Sequence, residues 1–118
     1  ARDREQFGQA IGKNQSVANR IVDMKVRLET ARLLLYKVAW LKKEGKPAVM
    51  EAALAKLYLS EAFVQSGIDA IKTLGGYGYM REYPVEKMMR DAKITQIYEG
   101  TNQINRLAIF ESQRGADF

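Results

Sequence analysis

The chain contains neither cysteine nor histidine, and these two absences close off most side-chain catalysis before any motif is considered. Without cysteine there is no disulfide, no thiolate nucleophile and no thiolate-bound metal, a composition that fits a reducing compartment. Without histidine the commonest general base near neutral pH and the commonest metal ligand are both missing. Acid–base chemistry is left to carboxylates, lysines and tyrosines, and no metal site is expected. Long apolar runs are also lacking. Stretches such as Leu33-Leu34-Leu35-Tyr36 fall far short of the ~20 residues a membrane-spanning helix needs, and no signal-peptide pattern opens the chain. The two prolines, Pro47 and Pro84, both stand where a helix can begin.

What remains is a 118-residue sequence with 47% hydrophobic residues, enough for one domain (1–118) with a single modest core. Its net charge of +5 comes from 19 Lys and Arg against 14 Asp and Glu. Basic and acidic residues interleave, as in Arg2-Asp3-Arg4-Glu5 and Arg81-Glu82, so no basic stripe with aromatics forms a nucleic-acid or membrane surface. A phosphate-rich small molecule remains compatible with that charge.

The pattern predicts an all-α fold, helical from end to end. From Gln15 to Leu41, Val17, Ile21, Met24, Leu28, Ala31, Leu35 and Val38 recur at alternating spacings of four and three, the seam of an up-and-down helical bundle. Ser16 is the expected N-cap, and Lys42 to Pro47 supply a basic C-terminal turn, a glycine stop and a helix-opening proline. A second helix is expected from about Pro47 to Leu74, with Met50, Leu54, Leu57, Val64, Ile68 and Ile71 on its seam. Glu61 interrupts that seam and needs either a partner or a place at its edge. Ala48, Ala52, Ala55 and Ala62 form a small-residue stripe that admits a close helix neighbour. A short helix with Val85, Met88 and Met89 inward follows Tyr83-Pro84, and Thr101 can cap a last helix carrying Ile104, Leu107 and Ala108, beyond which Gln113 to Phe118 read as a tail.

Two segments carry chemistry. Gly75-Gly76-Tyr77-Gly78 follows a helix and not a strand, which excludes the dinucleotide-binding fingerprint and leaves a glycine C-cap whose amides can also accept a phosphate. Ile97-Tyr98-Glu99-Gly100-Thr101-Asn102-Gln103 places one carboxylate between an apolar pair and a glycine, just ahead of a helix. Glu99 there reads either as a positioned base or as an electrostatic helix cap, and local sequence by itself favours the cap.

Taken together, Ile71 to Gly78, Tyr83-Pro84-Val85-Glu86-Lys87, Arg90-Asp91-Ala92-Lys93-Ile94 and Tyr98-Glu99-Gly100-Thr101 resemble the C-terminal helical domain of the acyl-CoA dehydrogenases, and Arg4-Glu5-Gln6-Phe7-Gly8, Ile11-Gly12 and Gln15 resemble the segment that opens it. The resemblance implies an FAD-dependent enzyme in which Glu99 removes the pro-R α-proton of an acyl-CoA thioester while the β-hydrogen leaves as hydride to the flavin. It implies that Gly100 lets the thioester approach the backbone. It also implies that Thr101, Asn102 and Gln103 contact FAD, and that Arg4, Gln15 and Lys72, Thr73, Leu74, Gly75 and Gly76 contact the FAD of a neighbouring subunit. Lys72 departs from the glutamine common in the family and exchanges a planar amide for a point charge.

The family's other domains and one further long helix are not in these residues, so a site incomplete for activity and a homo-oligomer are the expectations. An electron-transfer flavoprotein as acceptor, and a cytoplasmic or mitochondrial-matrix location, come from the resemblance alone. The position of the base points away from long-chain and isovaleryl-type arrangements, and acyl-chain length is otherwise open. A helical oligomerisation scaffold with no catalytic role is the alternative.

Overall fold

A computed structural model describes residues 1–117, with side chains through residue 115. The fold is an all-α bundle, elongated to 57 × 28 × 24 Å. Its helices are α1 (Gln15–Lys43), α2 (Val49–Leu74), α3 (Gly76–Tyr79), α4 (Val85–Ile94) and α5 (Asn102–Asp117). α2 is the hub, with α1, α3, α4 and α5 all packed against it.

The chain is not helical from its first residue, however. Strands β1 (Glu5–Gln6) and β2 (Gln9–Ala10) form a small antiparallel hairpin in which Gln6 faces Gln9. Its turn residues Phe7 and Gly8 both have positive φ, 55° and 77°, which suits the right-handed twist of a two-residue hairpin. A 3₁₀ turn, Ile11–Lys13, then leads into α1.

Asn14, not Ser16, caps α1: its Oδ1 accepts the Ser16 backbone N–H at 3.0 Å, and Ser16 lies already inside the first turn. At the far end Gly45 takes a positive φ, and Lys42 and Lys43 occupy the last turn. Helix α2 begins at Val49, two residues later than the proline suggested, and ends at Gly75, whose φ of 64° confirms the glycine cap. Gly78 permits α3 to fold back onto α2, because a Cβ there would lie 2.6 Å from the Ile71 carbonyl oxygen. Gly67 serves the α4 crossing in the same way, a Cβ at that position lying 3.2 Å from Met89 Cα.

The predicted α1 seam is half correct. Met24, Ala31 and Val38 turn inward and Val17 is buried, but Ile21, Leu28 and Leu35 are exposed, and Arg20, Arg27 and Leu34 take the inner positions instead. Helix α1 has apolar residues on more than one side, so heptad spacing alone could not choose between adjacent rows. In α4 Val85, Met89 and Ala92 face inward while Met88 is exposed, and α5 continues as helix through the segment read as a tail, to Asp117. The tail reading at Phe118 lies outside the described residues.

Burial is shallow. The buried apolar residues are Val17, Ala48, Ala55 and Ala92, and among the described residues no large side chain is fully enclosed. Val22, Val26, Leu33, Tyr36 and Trp40 stand exposed along α1. The α1–α2 contact is pinned instead by an ion pair, Arg27 Nη1 to Asp69 Oδ2 at 2.7 Å, with both side chains largely withdrawn from solvent. On α4, Arg90 hydrogen-bonds Glu86 and holds its carboxyl below the usual glutamate range. No described helix is long and apolar enough to cross a membrane.

Candidate active site

The candidate residues fall into two groups at opposite ends of α2. Lys56, which touches the Glu99 loop, and Leu74, which touches Arg4, are separated by about 27 Å at the helical rise of roughly 1.5 Å per residue.

The first group centres on the connection between α4 and α5. Helix α4 unwinds after Ile94, and the chain reverses through Glu99 and Gly100, both left-handed with φ of 53° and 86°. Gly100 adopts this freely, whereas a glutamate there costs about 1–2 kcal/mol. Such strain persists only where surrounding contacts enforce it, and here they are specific. The Gly100 carbonyl accepts from Lys56 Nζ at 2.8 Å and from Asn105 Nδ2 at 3.1 Å. Asn102, 4% exposed, joins the loop to α2: its Oδ1 accepts from Lys56 Nζ at 2.8 Å, and its Nδ2 reaches Ser60 Oγ at 3.0 Å and Glu61 Oε1 at 3.1 Å. Glu61 also pairs with Arg106 at 3.2 Å, so the residue that interrupted the α2 seam sits at its edge and ties α5 down. Thr101 Oγ1 accepts the Ile104 N–H at 3.3 Å and caps α5 as expected.

Glu99 itself is exposed and borders two adjoining cavities. One, of about 250 Å³, is lined by Lys56, Leu59, Ser60, Phe63, Thr95, Tyr98 and Glu99. The other, of about 600 Å³, runs past Lys42, Lys46, Ala52, Lys56 and Asn105. Among the described residues Glu99 is the one carboxylate lining either cavity. A carboxylate on a fixed loop beside an apolar hollow can take a proton from a ligand held there.

Of the three residues after Gly100 read as cofactor contacts, Gln103 is exposed, Thr101 is engaged in the cap and Asn102 is buried in the α2 network. Lys56, Ser60 and Asn105 were not singled out from the sequence. The available signal was a polar Lys56-Ser60-Glu61 cluster on one flank of an otherwise Ala- and Leu-rich helix.

The second group gathers at the C-terminal end of α2. Arg4, carried by the hairpin, donates from Nη1 to the Leu74 carbonyl at 3.2 Å and lies 5.5 Å from the Tyr77 ring centroid. Tyr77 in turn packs against Tyr83, ring centroids 5.5 Å apart. Thr73 Oγ1 is spent on the Asp69 carbonyl. Arg4, Gln15, Lys72 and the Gly75-Gly76 backbone are exposed, and a Cβ at Gly75 would come within 3.1 Å of Arg4 Nη1, so glycine makes room for the guanidinium. Exposed cations beside open backbone amides suit an anionic group such as a pyrophosphate. Among the described residues no cluster of three or more acidic side chains could hold a metal.

Comparison with known proteins identifies the domain. The family model for the acyl-CoA dehydrogenase C-terminal domain matches residues 1–113. An acyl-CoA dehydrogenase of Bacillus subtilis is 50% identical over 109 residues, which are 92% of this chain and 29% of that protein. The three-dimensional structure of butyryl-CoA dehydrogenase from Megasphaera elsdenii superposes with a TM-score of 0.93 at 45% identity, over 96% of this chain and 30% of that one. An FAD complex of PigA gives a TM-score of 0.94 at 43% identity, over 97% and 30% respectively. The chain thus spans a little under a third of the proteins it matches.

Proposed function

Because the chain belongs to the acyl-CoA dehydrogenase family and corresponds to its C-terminal domain, we propose that it supplies the base and part of the flavin site for α,β-dehydrogenation of an acyl-CoA thioester. The observation that carries this reading is Glu99, held on a strained loop by hydrogen bonds and bordering both cavities on the open side of α2. The apolar lining of the smaller cavity, from Leu59, Phe63 and Tyr98, suits an acyl chain.

In this mechanism the Cα–H bond breaks and its proton passes to a Glu99 carboxylate oxygen, the Cβ–H bond breaks with its electron pair, and a Cα–Cβ double bond forms. FAD, when bound, supplies the two-electron acceptor for the β-hydride. The loop amides position the thioester, and Gly100 keeps side-chain bulk away from it. Arg4, Gln15 and Lys72 would hold the flavin's anionic part by charge and hydrogen bonding, with the amides of Gly75 and Gly76 beside them. The distance of about 27 Å along α2 between this group and Glu99 supports their serving different flavins, one on each side of a subunit contact. An electron-transfer flavoprotein fits as the acceptor that reoxidises the flavin.

Replacing Glu99 by Gln keeps the shape of the loop and removes the base. Turnover should fall by roughly 10²–10⁴-fold with FAD still bound; undiminished turnover would refute the reading. The exposed apolar side of α1 favours self-association. The purified 118-residue chain with added FAD is therefore expected to form oligomers in light scattering and to leave acyl-CoA unoxidised, and a monomer, or measurable oxidation, would count against this part.

A further inference from the structure

Lys56 ties the reactive loop directly to α2. Its ammonium reaches 44 positions along the chain to bind the Gly100 carbonyl, and the same nitrogen binds Asn102 Oδ1, each at 2.8 Å. These two acceptors bracket Thr101 and lie immediately after Glu99, so one side chain fixes both ends of the peptide run that sets the direction of the carboxylate. Both acceptors are neutral oxygens. A charged donor makes stronger hydrogen bonds to them than a neutral one would, as a loop with two consecutive left-handed residues requires.

Lys56 is itself held in place. Ser60 Oγ donates to the Lys56 carbonyl at 2.8 Å one turn later, and Asn102 Nδ2 reaches that same hydroxyl at 3.0 Å, closing a ring of hydrogen bonds between α2 and the start of α5. The side chain is half-buried and lines both cavities that Glu99 borders. It therefore lies under the loop and next to the space where the base acts.

We propose that Lys56 is the positioning residue for the base: by clamping the Gly100 carbonyl and Asn102 together, its ammonium holds the Glu99-Gly100 pair in the one conformation that presents the carboxylate to the substrate. This rests on the assignment of Glu99 as the base. Its two hydrogen bonds go to the Gly100 carbonyl and Asn102, so it acts through the backbone that carries Glu99. Its loss should slow proton removal while leaving flavin and substrate binding largely intact.

The test is rapid anaerobic mixing of acyl-CoA with the flavin-loaded enzyme that carries this domain, following flavin absorbance and repeating with α-deuterated substrate. For Lys56→Met, which keeps the aliphatic stem and removes both donors, flavin reduction is expected to slow at least tenfold. FAD content and KM should stay within about twofold, and the α-deuterium isotope effect should rise as proton removal becomes more limiting. Lys56→Arg, which retains charged donors, should recover part of the rate. If Lys56→Met fails to bind flavin, Lys56→Gln, shorter and with a neutral donor, carries the same expectation. Reduction at the parental rate with an unchanged isotope effect in either variant overturns the proposal. Glu99→Gln run in parallel separates the two claims: if it abolishes reduction while the Lys56 variants reduce flavin at the parental rate, Glu99 stands and the Lys56 proposal falls, whereas if it reduces flavin normally, the assignment of the base has failed.

Discussion

At its C-terminal end α2 is gripped by an ion pair and a close glycine contact, while nearer its N-terminus it is joined to the Glu99 loop through polar side chains beside open cavities. The first end holds a withdrawn Arg27–Asp69 pair, the close approach of Gly78 to Ile71 and the Arg4 clamp on Leu74. The second relies on Lys56, Ser60, Glu61, Asn102, Asn105 and Arg106 around a strained loop. Close packing fixes a shape at the glycine end. At the loop end, directional hydrogen bonds fix one backbone conformation without filling the space that a ligand needs. Substitutions of Arg27 and Gly78 should therefore show mainly in stability, and substitutions at the loop end mainly in rate.

The largest stability effect is expected from Arg27→Met. It leaves the Asp69 carboxylate, with 10% side-chain exposure, facing α1 without its cation, and breaking such a pair costs about 3–5 kcal/mol. Urea unfolding measures it, and a loss below about 1 kcal/mol would show that the pair is no more than a surface contact. Gly78→Ala comes next. Its Cβ meets backbone atoms of Ile71 that cannot swing aside, so roughly 1–3 kcal/mol should be lost; an unchanged midpoint would mean that α3 moves freely. In both variants the α-proton isotope effect of the folded enzyme should match the parent, and a change would blur the division between the ends.

The smallest effect concerns helix charge pairs at neither end. Glu86, through its hydrogen bond from Arg90, and Glu29, through its hydrogen bond from Lys25, both titrate below the ordinary glutamate value of 4.5. A carboxyl whose folded value is depressed stabilises the fold above the unfolded value and loses that contribution as pH falls through the folded one. Helicity measured by circular dichroism should thus be flat above about pH 5 and decline slightly below 4.5, and added salt should shrink the decline. A decline as large as that of Arg27→Met would place these pairs among the main supports of the fold.

Much of this was legible from residues alone. Helical spacing, the glycine stops at Gly45 and Gly75 and the Thr101 cap are local signals, and each corresponds to a feature of the fold. The α1 face was only half legible, since Ile21, Leu28 and Leu35 are as apolar as the row that packs, and burial depends on which neighbours are present. The hairpin at Glu5–Ala10 was missed because its turn uses a left-handed Phe7, which composition does not announce. At the site, Glu99 could be named because its neighbours in sequence carry the pattern. Lys56 could not, because it meets Gly100 across 44 positions, and a lysine on a helix reads by default as a solvated charge. Asn102 shows the reverse case. As a short polar residue at a helix start it resembles an open donor, yet the fold spends it on Ser60, Glu61 and Lys56.

The central claim is that Glu99 takes the α-proton, and the most direct measurement is exchange of that hydrogen with solvent. Acyl-CoA incubated anaerobically in D₂O with the flavin-loaded enzyme should acquire deuterium at the α-carbon, and the Glu99→Gln variant, with FAD bound to the same extent, should leave it unlabelled. Labelling by Glu99→Gln at the parental rate would contradict the account.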